Sequence, residues 1–209
     1  MRYQGLSDQG KSKSGYFRLS LFISANVMVL ILFLVYHRSL LPTDAAGPPS
    51  CLTVSASGPI WQNLAFVASQ SGTFAAEIDG TPFGNNIDAG IGLSNGSQTG
   101  FTGLACIARF NTGGTIDARN GGAYAAASTI PYSANTTYHF RFVVNIPTHS
   151  YSIYVTPSGG VEQAVGINNA FRIEQSTVSS LNNWSLWGDI GSMQGCVSKD
   201  VDGGGSLRA

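Results

Sequence analysis

Tyr138-His139-Phe140-Arg141-Phe142-Val143-Val144-Asn145 and Tyr151-Ser152-Ile153-Tyr154-Val155-Thr156, joined through Ile146-Pro147-Thr148-His149-Ser150, decide the fold class. Both runs are rich in β-branched and aromatic residues and largely alternate apolar with polar, the period of a strand that buries one face. The proline-bearing segment between them reads as a turn. They form the most hydrophobic pair of strands beyond residue 50, which predicts a place at the centre of a sandwich. Outward from this pair, Pro157-Ser158-Gly159-Gly160 turns the chain back. The Trp-rich run Asn183-Trp184-Ser185-Leu186-Trp187-Gly188 supplies a closing strand.

The same alternation resolves register earlier in the chain. In Gly103–Phe110 the even positions Leu104, Cys106, Ala108 and Phe110 read as one buried face, and Thr115–Arg119 buries Ile116 and Ala118. Opposed residues share a face, so Phe110 faces Ile116 and Thr112-Gly113-Gly114 is a three-residue loop with a left-handed glycine. Arg109 then lies opposite Asp117. Asn120-Gly121 is the strongest two-residue hairpin signal. It sets Arg119 against Gly122, Ala118 against Ala123 and Asp117 against Tyr124, giving an outward row of Arg109, Asp117 and Tyr124 across three strands. From Cys51 to about Lys199, short alternating runs recur between Gly, Asn, Pro and Ser clusters, and no stretch holds a helical period. This predicts an all-β, two-sheet antiparallel jelly-roll sandwich.

Two quoted segments carry a family resemblance. Thr137–Val144 followed by Tyr151–Val155 resembles the aromatic-His-x-x-x-x-Val, then x-Leu-Tyr-Val, pattern of laminin-G-like and concanavalin A-like domains. Gly72-Thr73-Phe74-Ala75-Ala76-Glu77-Ile78 is similar to their early core strand. The resemblance spans roughly residues 52–197 and implies a two-sheet jelly roll, often binding carbohydrate or glycoprotein, commonly with calcium. Two readings of the Arg109, Asp117, Tyr124 row follow. It is either an ion pair covered by a ring, worth about 0.2 to 1 kcal/mol per pair, or a platform for a sugar.

Composition narrows the partners. The 209 residues include 26 glycines, and only 11% are charged, under half the roughly 25% of an ordinary domain. Eleven basic residues balance eleven acidic ones, but unevenly. Residues 1–18 carry Arg2, Lys11, Lys13 and Arg18 against Asp8, a surplus of 4 − 1 = 3, while residues 51–209 carry six basic against nine acidic residues, 6 − 9 = −3. No basic stripe for nucleic acid is present.

Leu19–Tyr36 is an uncharged run of 18 residues, about 27 Å as a helix and nearly the thickness of a bilayer core. Arg18 and His37-Arg38 flank it, and Tyr16, Phe17 and Tyr36 stand at its ends. The preceding positive charge places the N-terminus in the cytoplasm and the rest outside. Two readings stand: an uncleaved anchor, giving a single-pass protein of the cell membrane, and a cleaved signal peptide, giving a secreted one. The expected organisation is a basic tail over 1–18, a transmembrane anchor over 19–36, a Pro-rich linker over 37–50, the sandwich over 51–199 and a glycine-rich tail over 200–209.

Of three cysteines, Cys106 falls on the buried face and reads as a small core residue. Cys51 opens the sandwich and Cys196 closes it; because termini of such domains lie close together, a Cys51–Cys196 disulfide is expected.

The wider superfamily also contains glucanases and lyases. Laminarinase-type glucanases place their carboxylates as Glu-x-Asp-x-x-Glu on one strand. Here Glu77-Ile78-Asp79-Gly80-Thr81-Pro82 puts Pro82 where the proton donor would stand. The Gln-x-His and Tyr-x-Lys-x-Gly signatures of alginate-lyase-type jelly rolls are absent. His139, His149 and Tyr151 are the remaining base and phenol candidates. For calcium, Asp88 and Asp189 are rim candidates that no spacing selects, and Asp200-Val201-Asp202-Gly203 lacks the later acid of a calcium loop. Asn95, Asn135 and Asn183 head glycosylation motifs. The resulting expectation is a membrane-anchored, non-catalytic module outside the cell, binding a polysaccharide or glycoconjugate through a neutral face of Asn, Ser, Thr and aromatic side chains. The alternatives are an adhesion or structural domain and a polysaccharide lyase or glucanase.

Overall fold

A computed structural model of the protein describes residues 50–199. The expected basic tail, anchor, most of the linker and the glycine-rich tail lie outside the described residues. Among the described residues no helix is long and apolar enough to cross a membrane. Twelve strands follow in chain order: β1 (Cys51–Ser55), β2 (Trp61–Gln70), β3 (Thr73–Pro82), β4 (Asp88–Ser94), β5 (Leu104–Phe110), β6 (Thr115–Asn120), β7 (Ala123–Pro131), β8 (Tyr138–Asn145), β9 (Ser150–Pro157), β10 (Gln163–Ala170), β11 (Leu181–Ile190) and β12 (Ser192–Lys199). They form two antiparallel six-stranded sheets, one ordered β1-β12-β3-β8-β9-β10 and the other β2-β11-β4-β5-β6-β7.

The strand pair that decides the fold class lies inside the first sheet. Ile78, Phe140 and Val155 form one inward row across β3, β8 and β9, and Ala76, Phe142 and Ile153 the next; all six are buried. From the second sheet Phe110 meets Tyr132, Tyr138 and Phe140 edge-on, at centroid distances of 5.0, 5.5 and 5.5 Å. This is the favoured geometry for aromatic quadrupoles. The β5–β6 hairpin has the expected register, Phe110 opposite Ile116 and Arg109 opposite Asp117, with Gly114 at φ 77° in its loop. Cys106 is a buried free thiol.

Three local expectations are corrected. Leu104 is buried but on the outer face of the second sheet, because a register shift between Leu93–Cys106 and Ser94–Leu104 bulges Ala105 and reverses the alternation. The β6–β7 turn is Gly121-Gly122, not Asn120-Gly121: Asn120 pairs with Ala123 and Arg119 with Tyr124, with Gly121 at φ 56°. A glycine at positive φ in the first central position suits a II′-type turn. Here β10 holds Asn120 and Gly121, since Ala170 donates to the Asn120 Oδ1 (2.9 Å) and accepts from the Gly121 N–H (3.1 Å). The Trp-rich run does not close its sheet. It forms β11, between β2 and β4, and β12 is the last strand.

One side chain joins the two sheets through the core. The β5–β6 ladder covers only Ala108–Ala118, Arg109–Asp117 and Phe110–Ile116, and beyond Ala108 the strands part. The Tyr151 hydroxyl, from β9 in the opposite sheet, enters this gap. It accepts from the Ile107 N–H (3.3 Å), reaches the Ile107 carbonyl oxygen (3.0 Å) and donates to the Arg119 carbonyl oxygen. Burial pushes the Tyr151 phenol far above its usual range, so Tyr151 is a fastener and not the catalytic phenol considered from sequence. His149, at φ 49°, hydrogen-bonds the Val178 carbonyl at 3.0 Å and packs on Phe171, a loop-stabilising role.

The expected Cys51–Cys196 disulfide is present, directly across the β1–β12 pair with Cα atoms 4.0 Å apart. Asn183 is buried and donates to its neighbours, so it is closed to glycosylation in the folded chain, whereas Asn95 and Asn135 are exposed in turns.

Two predictions follow from these fasteners. The bond links residues 145 apart, for which chain entropy sets a ceiling of about 5 kcal/mol. The double substitution Cys51→Ala/Cys196→Ala is expected to lower stability by about 2–5 kcal/mol in urea melts. Tyr151→Phe removes the only hydroxyl in the β5–β6 gap and should cost about 1–3 kcal/mol at neutral pH. Because the folded phenol titrates above its unfolded value of about 10, its stabilisation is complete below that pH and is lost as pH rises through the folded value. Tyr124 and Tyr132 shift the same way through burial. Stability should therefore fall above about pH 10, by up to ~1.4 kcal/mol per pH unit per proton, and less steeply in Tyr151→Phe.

Candidate functional site

The outer face of the second sheet carries the row expected from sequence, in a longer form. Pairing aligns Trp61 on β2, Trp187 on β11, Gly90 on β4, Arg109 on β5 and Asp117 on β6 in a single line. The next line runs through Asn63, Ser185, Gly92 and Ile107, with Arg119 and Tyr124 paired on β6 and β7. Gly90 and Gly92 make this face possible. A Cβ at Gly90 would collide with the Trp187 ring and the Ala108 carbonyl oxygen, and one at Gly92 would lie 2.6 Å from Leu104. Their missing side chains let Trp187 and Leu104 lie flat on the sheet. Leu104, Ile107 and Trp187 form a second apolar cluster with Trp61, Phe101 and Tyr124 packed against it.

Phe101 reaches the cluster from the loop between β4 and β5. Asn63 pins that loop from both sides of its amide: its Nδ2 donates to the Gln98 carbonyl (2.9 Å) and its Oδ1 accepts from the Gln98 N–H (2.8 Å). Trp61 stacks on Trp187 at 6.0 Å, and Phe101 stands edge-on to both indoles at 5.1 and 5.4 Å. Trp187 is buried beneath them, while Trp61, Phe101 and Tyr124 remain half-buried and face outward.

Polar groups border the aromatic surface. Arg109 donates through Nε and Nη2 to the two Asp117 carboxylate oxygens (3.0 and 2.8 Å), and Asn111 Nδ2 adds a bond to Asp117 Oδ2 (2.9 Å). The Arg109 guanidinium lies 3.7 Å from the Tyr124 ring centroid. Tyr124 thus reaches Arg109 diagonally even though its backbone partner is Arg119. The sequence-predicted trio of Arg109, Asp117 and Tyr124 is therefore one physical unit. Sequence reading missed Trp61, Gly90, Gly92 and Arg119; the alternate glycines of Asp88-Ala89-Gly90-Ile91-Gly92-Leu93 were the available signal.

Of the two rim carboxylates considered for calcium, Asp88 sits 3.6 Å from Arg109 Nη1. Its pKa is raised, chiefly by burial and further by Asp189 and Asp117, with Arg109 opposing. Among the described residues no three His, Cys, Asp or Glu side chains are grouped to hold a metal ion. Asp88 already borders a guanidinium, while Asp189 is exposed.

The outer face of the first sheet holds the short acidic motif. Glu77 and Asp79 project outward with His139 between them, its Nδ1 2.7 Å from Asp79 and its Nε2 3.7 Å from Glu77. Pro82 is buried on the inward parity of β3, so the position a glucanase gives to its proton donor faces the core. The other acid on this face, Glu162, accepts two hydrogen bonds from Arg141 (2.9 and 2.7 Å), which hold its carboxyl below the usual range and ionised. Ser198 approaches the same His139 nitrogen as Asp79 does, at 3.4 Å. A relay needs the serine and the acid on opposite ring nitrogens.

No family model and no curated protein matches the chain. Among solved structures it is similar to a sialidase, at 11% identity and a TM-score of 0.50 over 73% of this chain; the match spans 15% of the sialidase. It is also similar to the GH131 beta-glucanase catalytic domain from Podospora anserina (7% identity, TM-score 0.49, 76% of this chain and 73% of that one). A third is lectin UEA-II complexed with galactose (9% identity, TM-score 0.45, 66% of this chain and 78% of that one). The likeness is one of fold, a two-sheet antiparallel β-sandwich.

Proposed function

We propose that the sandwich is a carbohydrate-binding module that does not turn over its ligand, acting through the outer face of the second sheet. The observation that carries the reading is the continuous line Trp61, Trp187, Gly90, Arg109, Asp117 with Tyr124 laid on Arg109. A sugar presents an apolar C–H face and a rim of hydroxyls. Half-buried aromatic rings suit the former, and planar groups locked by their own hydrogen bonds suit the latter without ordering cost on binding. Asp117 Oδ1, which accepts one bond from Arg109, retains acceptor capacity.

The first sheet's acidic face supports the non-catalytic part of the reading. Retaining glycosidases need a protonated acid near a second carboxylate. Here the third motif position is turned inward, and Glu162 is held ionised by Arg141. In the same proposal Leu19–Tyr36 anchors the module outside the cell, a placement supported by that segment's uncharged length and the basic residues before it.

A glycan array probed with the oxidised full-length chain tests the reading. Binding to at least one glycan is expected, weakened about threefold to tenfold by Trp61→Ala or Tyr124→Ala, the range for loss of one aromatic contact. Glu77→Gln should leave binding intact. Absence of binding to every glycan sinks the proposal, and release of reducing ends or unsaturated products sinks its non-catalytic part.

A further inference from the structure

We infer that this face selects an acidic saccharide, one bearing a carboxylate or sulfate, and that Arg119 is the residue that reads the charge. The inference rests on the carbohydrate reading above and assigns its ligand a chemical class. It starts from how the described arginines are spent. Arg109 is paired bidentately with Asp117 and Arg141 with Glu162, and Arg172 donates from Nη2 to Glu174 (3.2 Å), its Nε standing 2.9 Å from the other oxygen without forming a hydrogen bond. Arg119 alone among the four holds no carboxylate. Its Nε donates to the Gly121 carbonyl at 2.9 Å, which fixes the guanidinium plane, and its two terminal amino groups have no partner among the described residues.

This unspent cation stands where a ligand on the aromatic surface would pass. Arg119 is half-buried, and its guanidinium carbon lies 5.2 Å from the Tyr124 ring centroid. The Tyr124 phenol feels Arg109, Arg119 and Arg172 together, with Asp117 opposing. Glu174, which also feels Arg119, is held by its own backbone and by Arg172. Arg109 and Arg172 each hydrogen-bond a carboxylate, Asp88 also borders Arg109 at 3.6 Å, and Arg119 holds none among the described residues. The wall beside it is fixed. Gln175 donates to the Thr102 carbonyl (2.7 Å) and Arg172 N–H to the Ala105 carbonyl (3.0 Å), tying the turn at Ile173–Gln175 to the turn that carries Phe101.

A guanidinium with its Nε satisfied and both terminal nitrogens free presents a preorganised fork that an oxyanion can fill end-on. Partial burial weakens its competition from water, so an ion pair here gains more than an exposed one. A neutral sugar would leave that fork unfilled. Low overall charge therefore does not leave this face without a cation to offer: Arg119 is the guanidinium that holds no carboxylate among the described residues.

The test uses the oxidised full-length chain and matched saccharide pairs: oligogalacturonate against its methyl ester, and a sulfated galactan against the unsulfated polymer, at low and high salt. The acidic member of at least one pair should bind about tenfold more tightly at low salt, with the margin shrinking as salt screens the pair. The pair that shows it distinguishes carboxylate from sulfate. Arg119→Gln keeps an amide donor for Gly121 and should abolish the preference, so that acidic and neutral members bind alike. Arg119→Lys should keep part of it, which a purely structural role would not produce, and unchanged melting of both variants guards against misfolding. Equal binding of acidic and neutral members, or a preference that survives Arg119→Gln, overturns the inference. If only neutral glycans bind, it falls while the carbohydrate reading stands; if no glycan binds, both fall.

Discussion

The Tyr151 hydroxyl is the point on which the two layers agree. Antiparallel strands that part lose their ladder, and the exposed N–H and C=O groups must find partners or cost about 1–3 kcal/mol each. At Ile107 and Arg119 the partner is a phenol from the opposite sheet. That one bond set fixes the spacing between the sheets, since the ring must span the core from β9. It also fixes the end of β6, where Arg119 and the Gly121-Gly122 turn begin. Asn169 adds a longer bond to the same Arg119 carbonyl (3.4 Å) and Ala170 clasps the turn. The backbone that presents the outward Arg119 side chain is therefore held from inside the protein.

The outer face of the second sheet depends on a different economy of space. A strand in the middle of a sheet ordinarily carries side chains on both faces; β4 carries Ala89, Ile91 and Leu93 inward and Gly90 and Gly92 outward. The glycines weaken the strand by their own lack of packing, and Trp187 and Leu104 occupy the space above them. The result is a small core outside the sandwich, roofed by Trp61, Phe101 and Tyr124. Those rings are supported from below, so they can meet a ligand with little loss of side-chain freedom.

How much of this was legible in the sequence follows from which interactions are local. Alternation within Phe110 and Ile116 gave the correct loop, because a three-residue turn and two buried faces leave one solution. Leu104 went to the wrong face because a bulge at Ala105 inserts one residue into the alternation, and nothing in Leu104-Ala105-Cys106 announces it. The Asn120-Gly121 turn was misplaced because the dipeptide preference was overridden by β10, an element about fifty residues further on. Tyr124 nevertheless reached the expected face. The true pairing with Arg119 differs from the expected pairing with Asp117 by two residues, and a shift of two preserves the side of a strand on which a residue stands. Arg119 was overlooked for the same reason: its supposed partner, Gly122, has no side chain to suggest a neighbourhood.

The two outer faces then differ in what their charges are free to do. On the first sheet, His139 lies between Glu77 and Asp79 and Arg141 grips Glu162, so each acid has a basic neighbour. On the second, Arg109 and Asp117 satisfy each other, and Arg119 is left beside an aromatic surface. Chemistry on a sugar requires an acid that keeps its proton at working pH, and Arg141 deprives Glu162 of that state. Recognition requires only fixed donors, acceptors and a ring at the right spacing. A fold of this kind hosts both activities, so the distinction rests on these pairings: on one face Arg141 holds Glu162 ionised, and on the other Arg119 presents a guanidinium that holds no carboxylate among the described residues.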